Sequence, residues 1–302
     1  LLFIYAIVQL SSVMRGIFSE QATNIIAKYT QNIFSSIVIG TVLTVLLGSS
    51  SAVIILAIVF INAQTLSFKQ AIGIIMGANI GTTFSSQIIA LDIGKYALIP
   101  LIIGFLVRIL SNKTHIKQYG QILFYLGMLF FGLFLMEESV TPLKDSALFE
   151  QWISKIDNNY LQGTLIGGLI TLIIQSSSGT IGMAIVLGKQ NLISAAGGIA
   201  IMLGAELGTC SNTLFATIKG SRQALKAGLF HLTFNLITIC IGLLIFTPFV
   251  NFVAYVSSDQ SISTQIANAH MLFNLGGVIL FIPFVGLTVR LLNYLLPDQA
   301  PS

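Results

Sequence analysis

Gln175-Ser176-Ser177-Ser178 interrupts a long apolar run, and Gly48-Ser49-Ser50-Ser51 interrupts another in the same way. Each serine triplet is followed at the same distance by a second polar break. After the first it is Gly77-Ala78-Asn79-Ile80-Gly81-Thr82-Thr83, and after the second Gly204-Ala205-Glu206-Leu207-Gly208-Thr209-Cys210. The offset is 127 residues throughout, from Gly48 to Gln175, Gly77 to Gly204, Asn79 to Glu206 and Gly81 to Gly208. Residues 40–83 align with 167–210 without a gap, and 16 of the 44 positions are identical. A register held that long is an internal duplication. Polar residues matched at the midpoints of duplicated apolar segments point to a binding site within a membrane.

The composition fits that setting. Of 302 residues, 55% are hydrophobic and 8% charged, and the mean hydropathy is +0.92. A soluble globular chain carries roughly 25% charged residues, so this chain lacks the polar surface to cover itself and reads as a polytopic membrane protein. The net charge of +4 is scattered through short loops, which gives no footprint for nucleic acid. Cys210 and Cys240 both lie in apolar segments without CxxC spacing, as small buried residues do.

In chain order, residues 1–14 read as most of a spanning helix ending near Arg15, and 16–32 as an interfacial segment. Residues 33–47 and 52–63 are apolar arms on either side of the first triplet. Each falls short of the ~20 residues a span requires, so the pair reads as a re-entrant hairpin. Residues 70–91 are long enough to cross but hold Gly77 and Gly81 around a polar centre, the pattern of a discontinuous helix. Residues 96–110 and 120–136 read as further spans, and 137–160 as an acidic linker with Glu137, Glu138, Asp145, Glu150, Asp157, Pro142 and Trp152. The plan then repeats, with a hairpin at 161–188, a broken helix at 192–217 and spans near 227–250 and 266–292. The expected organisation is an N-terminal segment 1–32, a first repeat 33–136, the linker 137–160, a second repeat 161–293 and a tail 294–302.

Orientation is read from basic residues in short loops. Lys219, Arg222 and Lys226 mark one cytoplasmic loop, and Arg108, Lys113 and Lys117 another. The repeat partner of the 219–226 loop holds only Asp92 and Lys95. Equivalent loops with unequal basic charge belong on opposite sides of a membrane. The expected fold class is therefore an all-α polytopic membrane protein of two inverted-topology repeats, each with a re-entrant helical hairpin and a discontinuous helix. The linker would lie outside, and Lys28, Lys69 and the C-terminus inside.

Two half-helices meeting at a serine tip leave the N-terminus of the second arm facing the site. Its free N–H groups and positive dipole end seat an anion, and three hydroxyls per tip add donors and acceptors. Asn79, Thr82, Thr83 and Thr209 offer oxygen ligands of the kind that suit Na⁺. No Lys or Arg lies deep in these segments, so dipoles, hydroxyls and co-bound cations would hold the anion. Glu206 is the one acidic residue inside an apolar run. It should face a cavity, have a partner, and either bind a cation or take up a proton. His231 and Asn235, and likewise His270 and Asn274, stand four apart and share a helical face, which either lines the cavity or joins neighbouring helices.

On the paired Gln/Gly-Ser-Ser-Ser and Gly-Ala-polar-x-Gly-Thr segments, supported by the two His-x-x-Phe-Asn stretches, the chain resembles the type II sodium–phosphate cotransporter family over roughly residues 33–290. The resemblance implies Na⁺-coupled uptake of inorganic phosphate by alternating access, in the plasma membrane of a bacterium. It implies phosphate or Na⁺ contacts at Ser49, Ser50, Ser51, Gln175, Ser176, Ser177 and Ser178, with Ser51 and Ser178 also counted among cation ligands. Asn79, Thr82, Thr83 and Thr209 would support those contacts; Glu206, from its place inside an apolar run, is counted beside them as a cation ligand, and His231, Asn235, His270 and Asn274 as supporting residues. The expected form is a short one, without the soluble C-terminal regulatory domain that many bacterial members carry. Gly48 stands where the family usually has Gln, and Glu206 where Asn is usual. These departures make transport of another oxyanion, or proton coupling through Glu206, the nearest alternatives. No enzyme activity and no cofactor beyond the coupling ion are expected; the partners are phosphate, Na⁺ and lipid, with room for a homo-oligomer. A rival class is an intramembrane serine hydrolase with a tip serine activated by His231 or His270, and a third is a channel or sensor.

Overall fold

A computed structural model of the protein describes residues 1–91, 93–142, 146–218 and 220–297, with the side chains of Ala27 and Trp152 left aside. Asp92, Asp145, Lys219 and most of the 294–302 tail therefore lie outside the described residues. Helices make up the described chain: α1 Leu2–Tyr29, α2 Ile33–Leu47, α3 Ser50–Asn62, α4 Phe68–Ala90, α5 Leu98–Leu110, α6 Thr114–Val140, α7 Ala147–Asn158, α8 Tyr160–Ile174, α9 Ser177–Lys189, α10 Ala195–Thr217, α11 Arg222–Leu244, α12 Phe246–Val256, α13 Ile262–Phe281 and α14 Val285–Leu295. Among the described residues, six segments are long and apolar enough to cross a membrane: Leu2–Ile26, Phe68–Ala90, Thr114–Val140, Ala195–Thr217, Arg222–Leu244 and Ile262–Leu295. Many large apolar side chains point outward, among them Leu161, Leu165 and Leu169 along one edge of α8. A surface of that kind belongs in lipid, and the chain is a multi-pass membrane protein.

Several boundaries differ from the sequence reading. The N-terminal helix does not end near Arg15 but continues to Tyr29, and the apolar span itself reaches Ile26. Residues 16–29 hold no proline, and Ala22 and Ile26 pack into the core beside α2–α4, so the polar residues here mark one side of a helix rather than its end. Residues 96–110 hold a helix of 13 residues, about 20 Å at 1.5 Å per residue, too short to cross unaided. The stretch 137–160 contains the end of α6 and all of α7, whose Ile153 and Ile156 pack with Ile193 and Ile201. The span expected at 227–250 divides at Ile245 into α11 and α12. The last span runs through a 3₁₀ turn, Ile282–Phe284, at Pro283.

The two expected discontinuous helices are not broken: α4 and α10 each run 23 residues without interruption. Both start at strong caps. Ser67 and Gln70 form a reciprocal capping box on α4, and Ser194 accepts from Gly197 N on α10. A mid-helix glycine costs only about 1 kcal/mol, which such helices absorb. The glycines serve close approach instead. A Cβ on Gly77 would overlap the carbonyl oxygen of Ile37 on α2, and one on Gly204 the carbonyl oxygen of Thr164 on α8. Small residues let membrane helices touch backbone to backbone, where dispersion and lipid release drive association.

The duplication survives in the packing. α2 lies on α4 as α8 lies on α10, and α3 crosses to α10 as α9 crosses to α4. α13 packs against α4, α9 and α10, joining the two halves, while α1 packs on α2 and α6.

Candidate functional site

Each serine triplet sits at a helix–turn–helix tip. Gly48 closes α2 in the left-handed conformation, φ 63°, and Gln175 closes α8 the same way at φ 54°. Glycine takes that region freely, whereas an L side chain is strained there. The chain then reverses into the next helix. Ser49 caps α3, its Oγ accepting from Ala52 N at 3.3 Å, and Ser176 caps α9, accepting from Gly179 N at 3.1 Å. The remaining N–H groups and the positive dipole ends of α3 and α9 lie at the tips.

The tips border one cavity of about 560 Å³, lined by Gly48–Ala52 and by Ile174–Ser178. Other lining residues include Ser11 and Arg15 of α1 and Thr209 and Asn212 of α10. Both triplets are thus brought together, each at the start of a helix. The carbonyl that terminates each first arm is held from outside its hairpin. The Ser11 hydroxyl donates to Gly48 O at 2.8 Å, and Asn212 Nδ2 donates to Gln175 O at 3.3 Å. Among the described residues no carboxylate belongs to the lining, and Arg15 is its one charged side chain. The duplicated segments hold no Lys or Arg at depth, but the expectation that only dipoles, hydroxyls and co-bound cations surround the anion passes over Arg15 of α1, which lines the cavity from outside them. It followed from ending the first span at Arg15, and the pattern of Ile7, Ser11 and Arg15 four residues apart on one face was the signal that could have found it.

Of the candidate cation ligands, Ser51, Ser178 and Thr209 line this cavity, while Asn79, Thr82, Thr83 and Glu206 do not. Thr82 and Thr83 donate to carbonyls of their own helix, Ala78 O at 2.9 Å and Ile80 O at 2.8 Å. Asn79 and Glu206 enter a buried polar network among α4, α10, α11 and α13. Asn79 Nδ2 donates to Asn235 Oδ1 at 2.6 Å, and Asn235 Nδ2 donates to the Glu206 carbonyl at 2.9 Å. The Glu206 carboxyl Oε1 lies 2.6 Å from His270 Nε2, and His270 Nδ1 lies 2.7 Å from Ser86 Oγ. His270 thus bridges Glu206 and Ser86 through its two ring nitrogens. Glu206 therefore has the partner a carboxyl in a packed interior needs, but it does not face the cavity.

The second histidine follows suit. His231 Nδ1 lies 2.9 Å from Thr213 Oγ1, and Asn274 Nδ2 donates to His270 O at 3.1 Å. Both His–Asn faces join helices rather than line the cavity, and neither histidine bonds a tip serine. That removes the geometry the hydrolase reading required. Ser86, His270 and Glu206 do form a serine–histidine–carboxylate chain, with Ser86 buried away from the cavity. Sequence reasoning missed Ser86 because it stands 184 residues from its partner.

The family model for the Na⁺/Pi-cotransporter matches residues 2–138 and 144–282. The chain belongs to this family. Na⁺/Pi-cotransporter is a transporter family, not an enzyme class. Among its relatives, the chain is 30% identical over 90% of its length to "Uncharacterized protein YqeW" of Bacillus subtilis, covering 87% of that protein. It is 24% identical over 86% of its length to "Putative inorganic phosphate export protein YjbB" of Escherichia coli, and spans 48% of that longer protein. It is 27% identical over 40% of its length to human "Sodium-dependent phosphate transport protein 2B", covering 19% of it. No solved structure matches. The Na⁺/Pi-cotransporter match covers both serine tips, α1 and the network around Glu206.

Proposed function

We propose that the chain is a Na⁺-coupled transporter of inorganic phosphate, with the anion seated between the two serine tips and taken into the cell by alternating access. The observation that carries this is the convergence of both duplicated triplets, as the starts of two helices, on one cavity free of carboxylates. Two helix N-termini and six hydroxyls suit a tetrahedral oxyanion. Na⁺ ions held by oxygens such as those of Ser51, Ser178 and Thr209 would offset the anion's charge, which gives coupling its physical motive. The two re-entrant hairpins, related by an inverted repeat, would be the elements whose relative movement opens the site to either side. An inward Na⁺ gradient then drives uptake.

A second reading reverses the direction. It is favoured by the relatives named as putative phosphate export proteins, and the same cavity serves it. Labelled phosphate flux into proteoliposomes, with the Na⁺ gradient set inward, outward or absent, separates the two. Flux that rises only with inward Na⁺ supports uptake. Phosphate flux indifferent to Na⁺ rules out the coupling, and no phosphate flux under any gradient refutes the proposal.

A further inference from the structure

Arg15 stands near the centre of the first membrane span, Leu2–Ile26. An arginine at that depth is expensive unless it meets a wet cavity and a partner, and it marks a functional site by default. Arg15 meets the cavity. Ile7, Ser11 and Arg15, spaced by four, share one face of α1, and all three line the space between the serine tips. The Ser11 hydroxyl anchors that face to the first tip through Gly48 O. The guanidinium is oriented by its own helix, with Arg15 Nε donating to Ser11 O at 3.3 Å. Among the described residues its terminal amino groups have no hydrogen-bond partner and no carboxylate pairs with it. Among the described residues the cavity holds a formal positive charge, two helix N-termini and no acid.

We infer that Arg15 is the cationic recognition residue of this site: it touches the bound oxyanion and sets the charge the site prefers. The inference rests on the reading of the cavity as a phosphate site. Dipoles and hydroxyls from the two repeats are neutral groups and tell a dianion poorly from a monoanion. A guanidinium adds a full charge and a planar fork that meets two oxygens of one phosphoryl group. The duplicated halves thus provide a two-sided seat, and α1, outside the duplication, provides the charge. A phospholipid headgroup presents the same phosphoryl oxygens as free phosphate, so the test must tell them apart.

Equilibrium binding of labelled inorganic phosphate is measured on the full chain in phospholipid-free detergent and again in nanodiscs. Arg15→Gln weakens binding at least tenfold in both, and Arg15→Lys falls between, since it returns charge without the fork. The wild type binds more tightly as rising pH converts phosphate to the dianion, and Arg15→Gln flattens that dependence. A charge-rescue arm uses Arg15→Cys with the exposed Cys240 replaced by Ala. A methanethiosulfonate carrying an ammonium group restores affinity, an uncharged one does not, and saturating phosphate slows both modifications. Because the reagents act on protein already folded, this arm stands even if Arg15→Gln expresses poorly.

Phosphate binding by Arg15→Gln within twofold of the wild type overturns the inference and leaves the phosphate reading intact. So does equal rescue by the uncharged reagent, which would make the role one of packing. An effect seen in nanodiscs but not in detergent assigns Arg15 to lipid headgroups and also overturns it. If the wild type ignores phosphate but binds another oxyanion in an Arg15-dependent way, the phosphate reading falls and the inference survives. Binding of no oxyanion at all defeats both.

Discussion

The two serine tips share a backbone and differ in how each is completed. Both turn through a left-handed residue into a serine-capped helix, yet the first does so on Gly48 and the second on Gln175. The first is braced by Ser11 of α1, the second by Asn212 of α10. Beneath the second tip Thr171 Oγ1 donates to Thr180 Oγ1 at 2.7 Å. In the first the equivalent pair is Thr44 and Val53, and Thr44 Oγ1 is left as a buried hydroxyl without a partner. Duplication conserved the geometry that presents helix ends to the cavity, and side chains around each tip diverged. The first tip depends on a helix from outside the repeats, and that helix carries Arg15.

The comparison breaks first at the helix crossings beneath the tips. Gly77→Ala and Gly204→Ala each push a methyl group into a facing carbonyl, so each should exceed the roughly 3 kcal/mol of ordinary overpacking. Loss of a monodisperse peak on size exclusion would show it for both halves alike. A half that tolerates alanine would mean its hairpin is not held by backbone contact.

The halves part company at the next level. His270→Ala strands the Glu206 carboxyl in a packed interior and should destabilise by about 3 kcal/mol. Asn79→Ala, at the repeat mate of Glu206, leaves the neutral Asn235 Oδ1 without its donor and should lose less, about 2 kcal/mol. Thermal unfolding in detergent compares them, and equal losses would show that the Glu206–His270 contact is not special.

Those two levels also divide what the sequence could show. The tips were legible because polar residues recurring at a fixed offset in apolar runs have few structural uses. The sequence suggests breaks in α4 and α10 that the structure lacks, because a glycine that interrupts a helix and one that lets a helix approach look alike in sequence. Only the neighbouring backbone, Ile37 or Thr164, distinguishes them. Arg15 and Glu20 mimic an interfacial boundary in α1, and a helix ended there hides the one charged side chain that the described residues bring to the cavity. The Ser86–His270–Glu206 chain depends on α4, α10 and α13 converging, which no local pattern encodes.

Smaller changes sharpen the contrast between the tips. Gln175→Gly relieves a left-handed glutamine and should stabilise by about 1 kcal/mol. Gly48→Gln should destabilise by at least as much, since its Cβ would also lie 3.3 Å from Ser11 Oγ. Opposite shifts in melting temperature are expected, and shifts of the same sign would contradict the shared turn geometry. The mildest change, Val53→Thr, gives Thr44 the partner that Thr171 has and should add about 1 kcal/mol. No gain in melting temperature would mean that Thr44 is satisfied in some other way.

The central claim is that one anion lies between two helix N-termini drawn from duplicated halves. A cryo-EM map of the full chain in nanodiscs with saturating phosphate tests it most directly. Density is expected between Ser49–Ser51 on one side and Ser176–Ser178 on the other, lost when phosphate is omitted. Phosphate density away from both triplets, or against one tip alone, would contradict it.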